Sequence, residues 1–324
     1  MPNRLVRNTA ILLKSETTYG VDSVPTGAAN ALLVSNVSIT PISTNEVDRA
    51  IMRPFLGGSE QLVGTRYAQI SFDLELVGSG TVATSPAWSA ALLACGMAET
   101  LVATFRADYL PISSNMPSVT IYHFDDGIRH TLIGARGDVS VKFIQGEIPK
   151  LSLSYQGLYT TPTAAALPTI ITTAWKIPQV VCDANTGDLM FGGTHTTSTA
   201  PAITGGTAYP SQGIEVMFGN SVNFNPLLGG EDVQISARSV TGKVTLDLTA
   251  AQEVTMMSNV ESATLTSIGL QHGTVANQKL LLWLPSVQLT NPAKAEVNGK
   301  RLVSFDLRVL PVSGNDEVRL VTSF

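Results

Sequence analysis

Residues 137–157 constrain this chain more than any other stretch. They read GDVSVKFIQGEIPKLSLSYQG. Val139, Val141 and Phe143 alternate with Ser140 and Lys142. Beyond Gln145, Gly146 and Glu147, Leu151, Leu153 and Tyr155 alternate with Ser152, Ser154 and Gln156. Period-two alternation on both sides of a glycine-bearing turn predicts a β-hairpin with one buried face and one wet face. A hairpin of the same design closes the chain. Val287 and Leu289 lead through Asn291, Pro292, Asn298 and Gly299 into Val303, Phe305, Leu307 and Val309, with Ser304, Asp306 and Arg308 interleaved. A hairpin written twice raises the question of a domain written twice.

The order of elements supports the repeat. In the first half, residues 43–53 and 66–77 read as a long strand pair, with Ile70, Phe72, Leu74 and Leu76 alternating with Ser71, Asp73 and Glu75. The connection through residues 54–65 is long for a hairpin, and loops of that length usually make contacts or carry function. Ser85 and Pro86 predict a short helix, Ser as N-cap and Pro at the first helical position, with Trp88, Leu92, Leu93 and Met97 on one face. Strands follow around 101–106, 118–124 and 129–133, the last two joined by Asp125-Asp126-Gly127. The second half repeats this order. Residues 216–225 read as a strand and 227–240 as a loop in which Leu228-Gly229-Gly230-Glu231 echoes Leu56-Gly57-Gly58-Ser59-Glu60. Val244, Leu246 and Leu248 then alternate with Thr245 and Asp247, and residues 250–260 predict a second short helix. The expected fold is mainly β: two tandem β-sandwich or partial-barrel domains, each with one short flanking helix. The boundaries read as an extended arm at 1–40 that docks on a neighbouring chain, a domain at 41–160, a Thr/Ala/Gly/Pro-rich linker at 161–212 and a second domain at 213–324.

Composition narrows the functions. At 324 residues the chain suits about two domains. It is 44% hydrophobic but only 14% charged, which suits β-structure and large contacts between subunits. The formal net charge of −5 comes with no basic patch, which argues against tight binding to a phosphate backbone. Cys95 and Cys182 lack metal-ligand spacing and read as free thiols in a reducing compartment. Residues 1–7 are polar and no 18-residue apolar run follows, so assembly in a cytoplasm and no membrane partner are expected.

No catalytic, cofactor or metal residue is expected. His123, His130, His195 and His272 are scattered; His123 and His130 could face each other across a hairpin, but no further ligand completes a zinc site. Asp125-Asp126 is turn chemistry rather than an acid–base pair or a calcium loop. Gly57-Gly58 and Gly78-Ser79-Gly80 lack the spacing of a phosphate loop, and there is no GxSxG elbow. The informative residues are the polar positions of the alternating strands: Ser71, Asp73, Glu75, Ser152, Ser154, Gln156, Thr245, Asp247, Ser304 and Asp306. They belong either to the ordinary wet side of an antiparallel sheet or to the lining of a channel, and the sequence alone does not separate the two.

A resemblance bears on that choice. The segments LLKSETTYGVDSVPTGAANALLVSNVSITP, RPFLGG, FDLELVGSGT with SPAWSAALLACGM, SVTIYHFDDGIRHTLIGARGDVSV, LSYQGLYTTPTAAALPT and LRVLPVSGNDEVRL resemble major tail proteins (tail tube proteins) of long, non-contractile-tailed bacteriophages. The resemblance spans essentially the whole chain. It implies tail-tube-like domains whose sheets face inward in a ring, rings stacked into a hollow tube, and DNA leaving the capsid through it without sequence-specific binding. Two such domains per chain imply a ring of three chains; six chains is the alternative if the second half decorates the exterior. The lumen would be polar and mildly acidic, lined by the ten residues just named. Arg53, Pro54, Phe55, Leu56, Glu60, Leu228, Glu231 and Asp232, with the amino-terminal arm, would bridge successive rings. The implied partners are further copies of the chain, tape measure protein, tail terminator and distal tail proteins. The implied location is the virion tail. A β-sandwich adhesion or decoration module on a virion surface is the competing reading, although aromatics, at 6%, are few for a binding site built on exposed loops.

Overall fold

Alternation governs the molecule. The structure, a computed structural model, describes residues 4–196 and 200–324. It is mainly β, with 53% of the chain in strands and 5% in helices, so sheet pairing rather than helix packing holds it together. In the first half, β1 (Thr9–Ser15) and β2 (Ala31–Leu32) precede two long strands, β3 (Val34–Asp48) and β4 (Gln61–Glu75). A short helix, α1 (Ser89–Leu93), leads to β5 (Met97–Val102), β6 (Arg106–Pro111), β7 (Val119–Asp125), β8 (Ile128–Ile144), β9 (Lys150–Tyr159) and β10 (Thr163–Ala164). Four short strands follow: β11 (Leu189–Phe191), β12 (Thr194–Thr196), β13 (Ala202–Thr204) and β14 (Thr207–Tyr209). The second half then runs β15 (Ser211–Met217), β16 (Asn220–Leu227), β17 (Gly230–Arg238), β18 (Thr241–Leu246), α2 (Ala250–Glu261), β19 (Leu265–His272), β20 (Leu280–Val297), β21 (Lys300–Val309) and β22 (Arg319–Thr322).

Backbone pairing lays eight antiparallel strands side by side in the order β3, β4, β9, β8, β15, β18, β21, β20. The first four come from the first half and the last four from the second. The hairpin expected at 137–157 is β8–β9, with Val139 opposite Leu153 and Val141 opposite Leu151. The closing hairpin is β20–β21, with a bulge between Thr290 and Ala293. The two quartets meet where β8 pairs β15, from Ile144 opposite Gly213 to Ser140 opposite Met217.

Two strands are long enough to serve two layers. The amino-terminal part of β8 pairs β7, which pairs β1 and through it β2, forming a second layer behind the first quartet. The change of direction falls at Gly134, whose φ of 59° favours glycine and where a Cβ would meet the Tyr19 ring at 2.8 Å. Behind the second quartet, β20 pairs β19 and β22, and β19 pairs β11. β22 also pairs β6, so the β5–β6 hairpin of the first half is stitched to the carboxyl-terminal strand. One hydrophobic cluster fills the space between the layers. It runs from Ile11 through Phe72, Trp88, Tyr109, Phe143 and Tyr155 to Phe218, Phe305 and Leu320. Each such side chain contributes roughly 1.5–3 kcal/mol on burial, and both halves draw on the same cluster.

Four expectations are corrected. Residues 9–15 are not a free arm: β1 pairs β7 of the same chain, and Ile11, Leu12 and Leu13 are all buried. Three consecutive apolar residues fill both faces of one strand. Ile11 and Leu13 enter the main core, while Leu12 joins Ala31, Tyr122 and Phe124 in a smaller outer cluster. Residues 161–212 are not a loose linker. Ala165, Leu167 and Ile170 cover that outer cluster, Trp175 Nε1 donates to the Ala31 carbonyl at 3.0 Å, Val181 is buried, and β11 enters the sheet beside β19. The first helix starts later than Ser85 and spans five residues, with Trp88 at the N-cap. Ser85 Oγ donates instead to Glu99 Oε2 at 2.8 Å, and Trp88 Nε1 is held by the Val77 carbonyl at 2.8 Å. Residues 227–240 are mostly strand: β16 and β17 form a hairpin turning at Leu228 and Gly229. The second helix is as expected, with a capping box between Thr249 and Gln252.

Candidate functional site

A continuous polar face runs along the eight-stranded sheet. On β4, Ser71, Asp73 and Glu75 alternate with the buried Ile70, Phe72 and Leu74. On β9, Ser152, Ser154 and Gln156 alternate with the buried Leu151, Leu153 and Tyr155. The register sets Ser71 opposite Ser154 and Asp73 opposite Ser152. On the second quartet, Thr245 and Asp306 keep the same side, opposite the buried Val244, Leu246, Phe305 and Leu307. Asp247 lies one residue beyond β18 and pairs with Lys300. Ser304 departs from expectation. It is buried, with Oγ donating to the Ala293 carbonyl at 3.3 Å, because the strand bulges at Asn291 (φ 48°) and Pro292 and brings Ala293 back over it.

One row of cross-strand neighbours crosses both quartets. Glu75 faces Lys150, Lys150 faces Lys142, Lys142 faces Glu215, Glu215 faces Lys243, and Lys243 faces Asp306. Next to it run Asp73, Ser152, Ser140, Met217, Thr241 and Arg308. Within this row the charges balance: lysines stand beside carboxylates. Lys142 and Lys150 occupy polar positions of the alternation and are legible there. The partnership of Glu215 and Lys243 depends on the β8–β15 junction, which no local pattern announces.

The first quartet also carries a cleft of about 430 Å³ lined by Ser38, Thr40, Gln69, Asp138, Gln156 and Asn220, among others. Burial pushes the Asp138 carboxyl above its usual range, although the Asn220 backbone N–H, donating at 2.9 Å, favours the charged form. Here the β16–β17 hairpin clasps the end of the first half. Phe224 stacks on Tyr67 with ring centroids 5.3 Å apart. Arg136 donates to the carbonyls of Val233 at 2.7 Å and Met116 at 2.9 Å and lies over the Tyr19 ring. Asn220 Nδ2 donates to the Cys95 carbonyl at 2.8 Å.

The residues expected to bridge rings lie at or near the ends of two ribbons. Arg53, Pro54, Phe55, Leu56 and Glu60 stand exposed at the end of the β3–β4 ribbon, with Arg53 and Glu60 paired at 3.2 Å. Met52, Leu56 and, on the other tip, Leu228 are fully exposed. Glu231 is exposed, while Asp232 turns back to accept from Asn225 at 3.1 Å. Among the described residues, the outer edge of β3 has no strand partner, and neither has the outer edge of β20 from Leu289 to Val297.

His123 and His130 face each other with ring centroids 6.1 Å apart, and burial first, then the neighbouring His130, holds His123 below its ordinary range. Among the described residues, no group of three or more His, Cys, Asp and Glu could hold a metal ion. No described helix is long and apolar enough to cross a membrane.

A mainly β chain with one shared core, a broad polar sheet face and open strand edges is built as a structural subunit. A family model described as phage tail tube protein matches residues 7–313 of the 324-residue chain, and the chain belongs to that family. No curated protein matches it. Membership gives a structural role in the virion tail, self-assembly into a tube and association with other tail components.

Proposed function

We propose that this chain is a tail tube subunit carrying two tube domains, and that three copies close a ring whose polar faces line the channel through which DNA leaves the capsid. The observation that carries this reading is the β8–β15 junction. β15 opens the second quartet as β3 opens the first, and β20 precedes the last strand of its quartet as β8 does. The open edges of β3 and β20 are thus the same two kinds of edge already joined inside the chain. Repeating the joint between chains gives every such edge a partner, which removes the hazard of unpaired strands. Until then the edges are guarded. β3 carries Pro41 and a left-handed Asn36 tied to Asp73 at 2.7 Å; β20 carries Pro292 and a left-handed Asn291 tied to Asp306 at 3.0 Å.

The exposed tips at 53–60 and 228–232 bridge stacked rings in this reading. Tape measure, terminator and distal tail proteins meet the ends of the stack, and assembly takes place in the host cytoplasm. The test places cysteine pairs along the two edges, Val37 or Thr40 on β3 with Ala293 or Glu296 on β20. At least one pair should trap linked species of two and three chains under oxidation and none larger. Rings that form without any such trapping, or a ladder reaching six, would overturn the proposed joint.

A further inference from the structure

We infer that the lysines of the polar face are masked from phosphate by carboxylates set beside them in register, and that Glu215 is the residue on which the masking turns. The inference rests on the reading of this face as the channel wall. The six-residue row from Glu75 to Asp306 holds three cations and three anions. Lys142 Nζ lies 3.1 Å from Glu215 Oε1, and Lys150 Nζ lies 3.8 Å from Glu147 Oε2. Glu215 is the row's hinge. It stands on the strand that joins the halves, with Lys142 opposite it on one side and Lys243 on the other. Asp306 flanks Lys243 from its far side.

Half-exposed pairs of this kind contribute little to folding. Their larger effect is on what the face offers a polyanion. An uncompensated lysine that meets a phosphate releases condensed counterions, and each such contact adds about 0.9 to the salt slope of binding. A row in which every lysine has a carboxylate neighbour offers little such gain. A purely acidic wall would repel DNA; a balanced wall neither holds nor repels it, so a duplex can be guided past without sticking. The ligand class is double-stranded DNA in transient passage.

The test compares wild type with the Glu215→Gln, Asp306→Asn variant as purified subunits, using a fluorescent DNA duplex at low ionic strength. Wild type is expected to show no measurable binding. The variant is expected to gain about tenfold or more, with a salt slope steeper by about two. Adding Lys142→Gln and Lys243→Gln should remove the gain. A variant with unchanged thermal midpoint and no gain overturns the masking, as does wild-type binding of equal strength; neither result touches the tube reading. Phages carrying the variant should release DNA more slowly. Normal release from intact tubes, despite a gain in the subunit assay, overturns the role in passage. Tubes with this face outside overturn the reading of this face as the channel wall.

Discussion

Glu16 shows how one side chain ties the amino-terminal segment to the body. Its carboxylate accepts from the backbone N–H groups of Gly20 at 2.9 Å and Gly134 at 2.7 Å, and from the hydroxyls of Ser118 at 2.6 Å and Thr120 at 2.9 Å. Glu16→Ala leaves these donors without their acceptor, and a loss of about 3 kcal/mol is expected. It should appear as a lower urea midpoint at unchanged slope. The histidines give a pH signature. Burial lowers His123, His130 and His272, and it lowers His195 to about 4, helped by Arg319. The unfolded chain takes up these protons first, near pH 6.5. Stability from these groups is therefore complete above that pH and falls as pH drops through the window towards about 4. Asp138, raised by burial, opposes the trend at its lower end. The thermal midpoint should fall between pH 7 and pH 4, and His195→Asn should flatten the fall. At this scale the polar positions of β4 and β9 were legible because alternation is local. The burial of Ser304 and the pairing of Glu215 were not, because a bulge and a joint between distant strands decide them.

Among the elements, the two alternating hairpins read well, while the β16–β17 hairpin was read as a loop. The 137–157 hairpin and α2 follow from patterns carried within a few residues: alternation in one, a capping box in the other. β1 was missed because Ile11-Leu12-Leu13 breaks alternation; a strand buried on both faces has no polar side to reveal it. The segment 161–175 was missed because small Thr, Ala and Pro residues read as linker, although their size lets them lie flat on the outer cluster. The internal joint has a sharp requirement at Gly213. Its φ is 105°, and a Cβ there would sit 1.9 Å from the Phe143 carbonyl oxygen. Gly213→Ala should loosen the β8–β15 pairing, seen as faster hydrogen exchange at Lys142 and Glu215 than elsewhere in the sheet. Replacing residues 51–58 with an Asn-Gly turn should leave the thermal midpoint almost unchanged while abolishing the stacking of rings. Full-length tubes from that variant would remove the tip from the inter-ring contact.

For the whole molecule, the mainly β character was legible but the unity of the core was not. β22 is wedged between β20 and β6, and one cluster spans both halves. Truncation before β22 should therefore cost both halves, and the chain should unfold in one transition rather than two. Two separate transitions by calorimetry would mean that the halves are independent after all. Everything turns on what the eight-stranded sheet does when chains meet. Cryo-electron microscopy of the assembled tube measures it directly. Three chains per ring are expected, β3 of each paired with β20 of the next, and Glu215 on the inner wall. Six chains per ring, or a lumen lined by any other face, would contradict this arrangement.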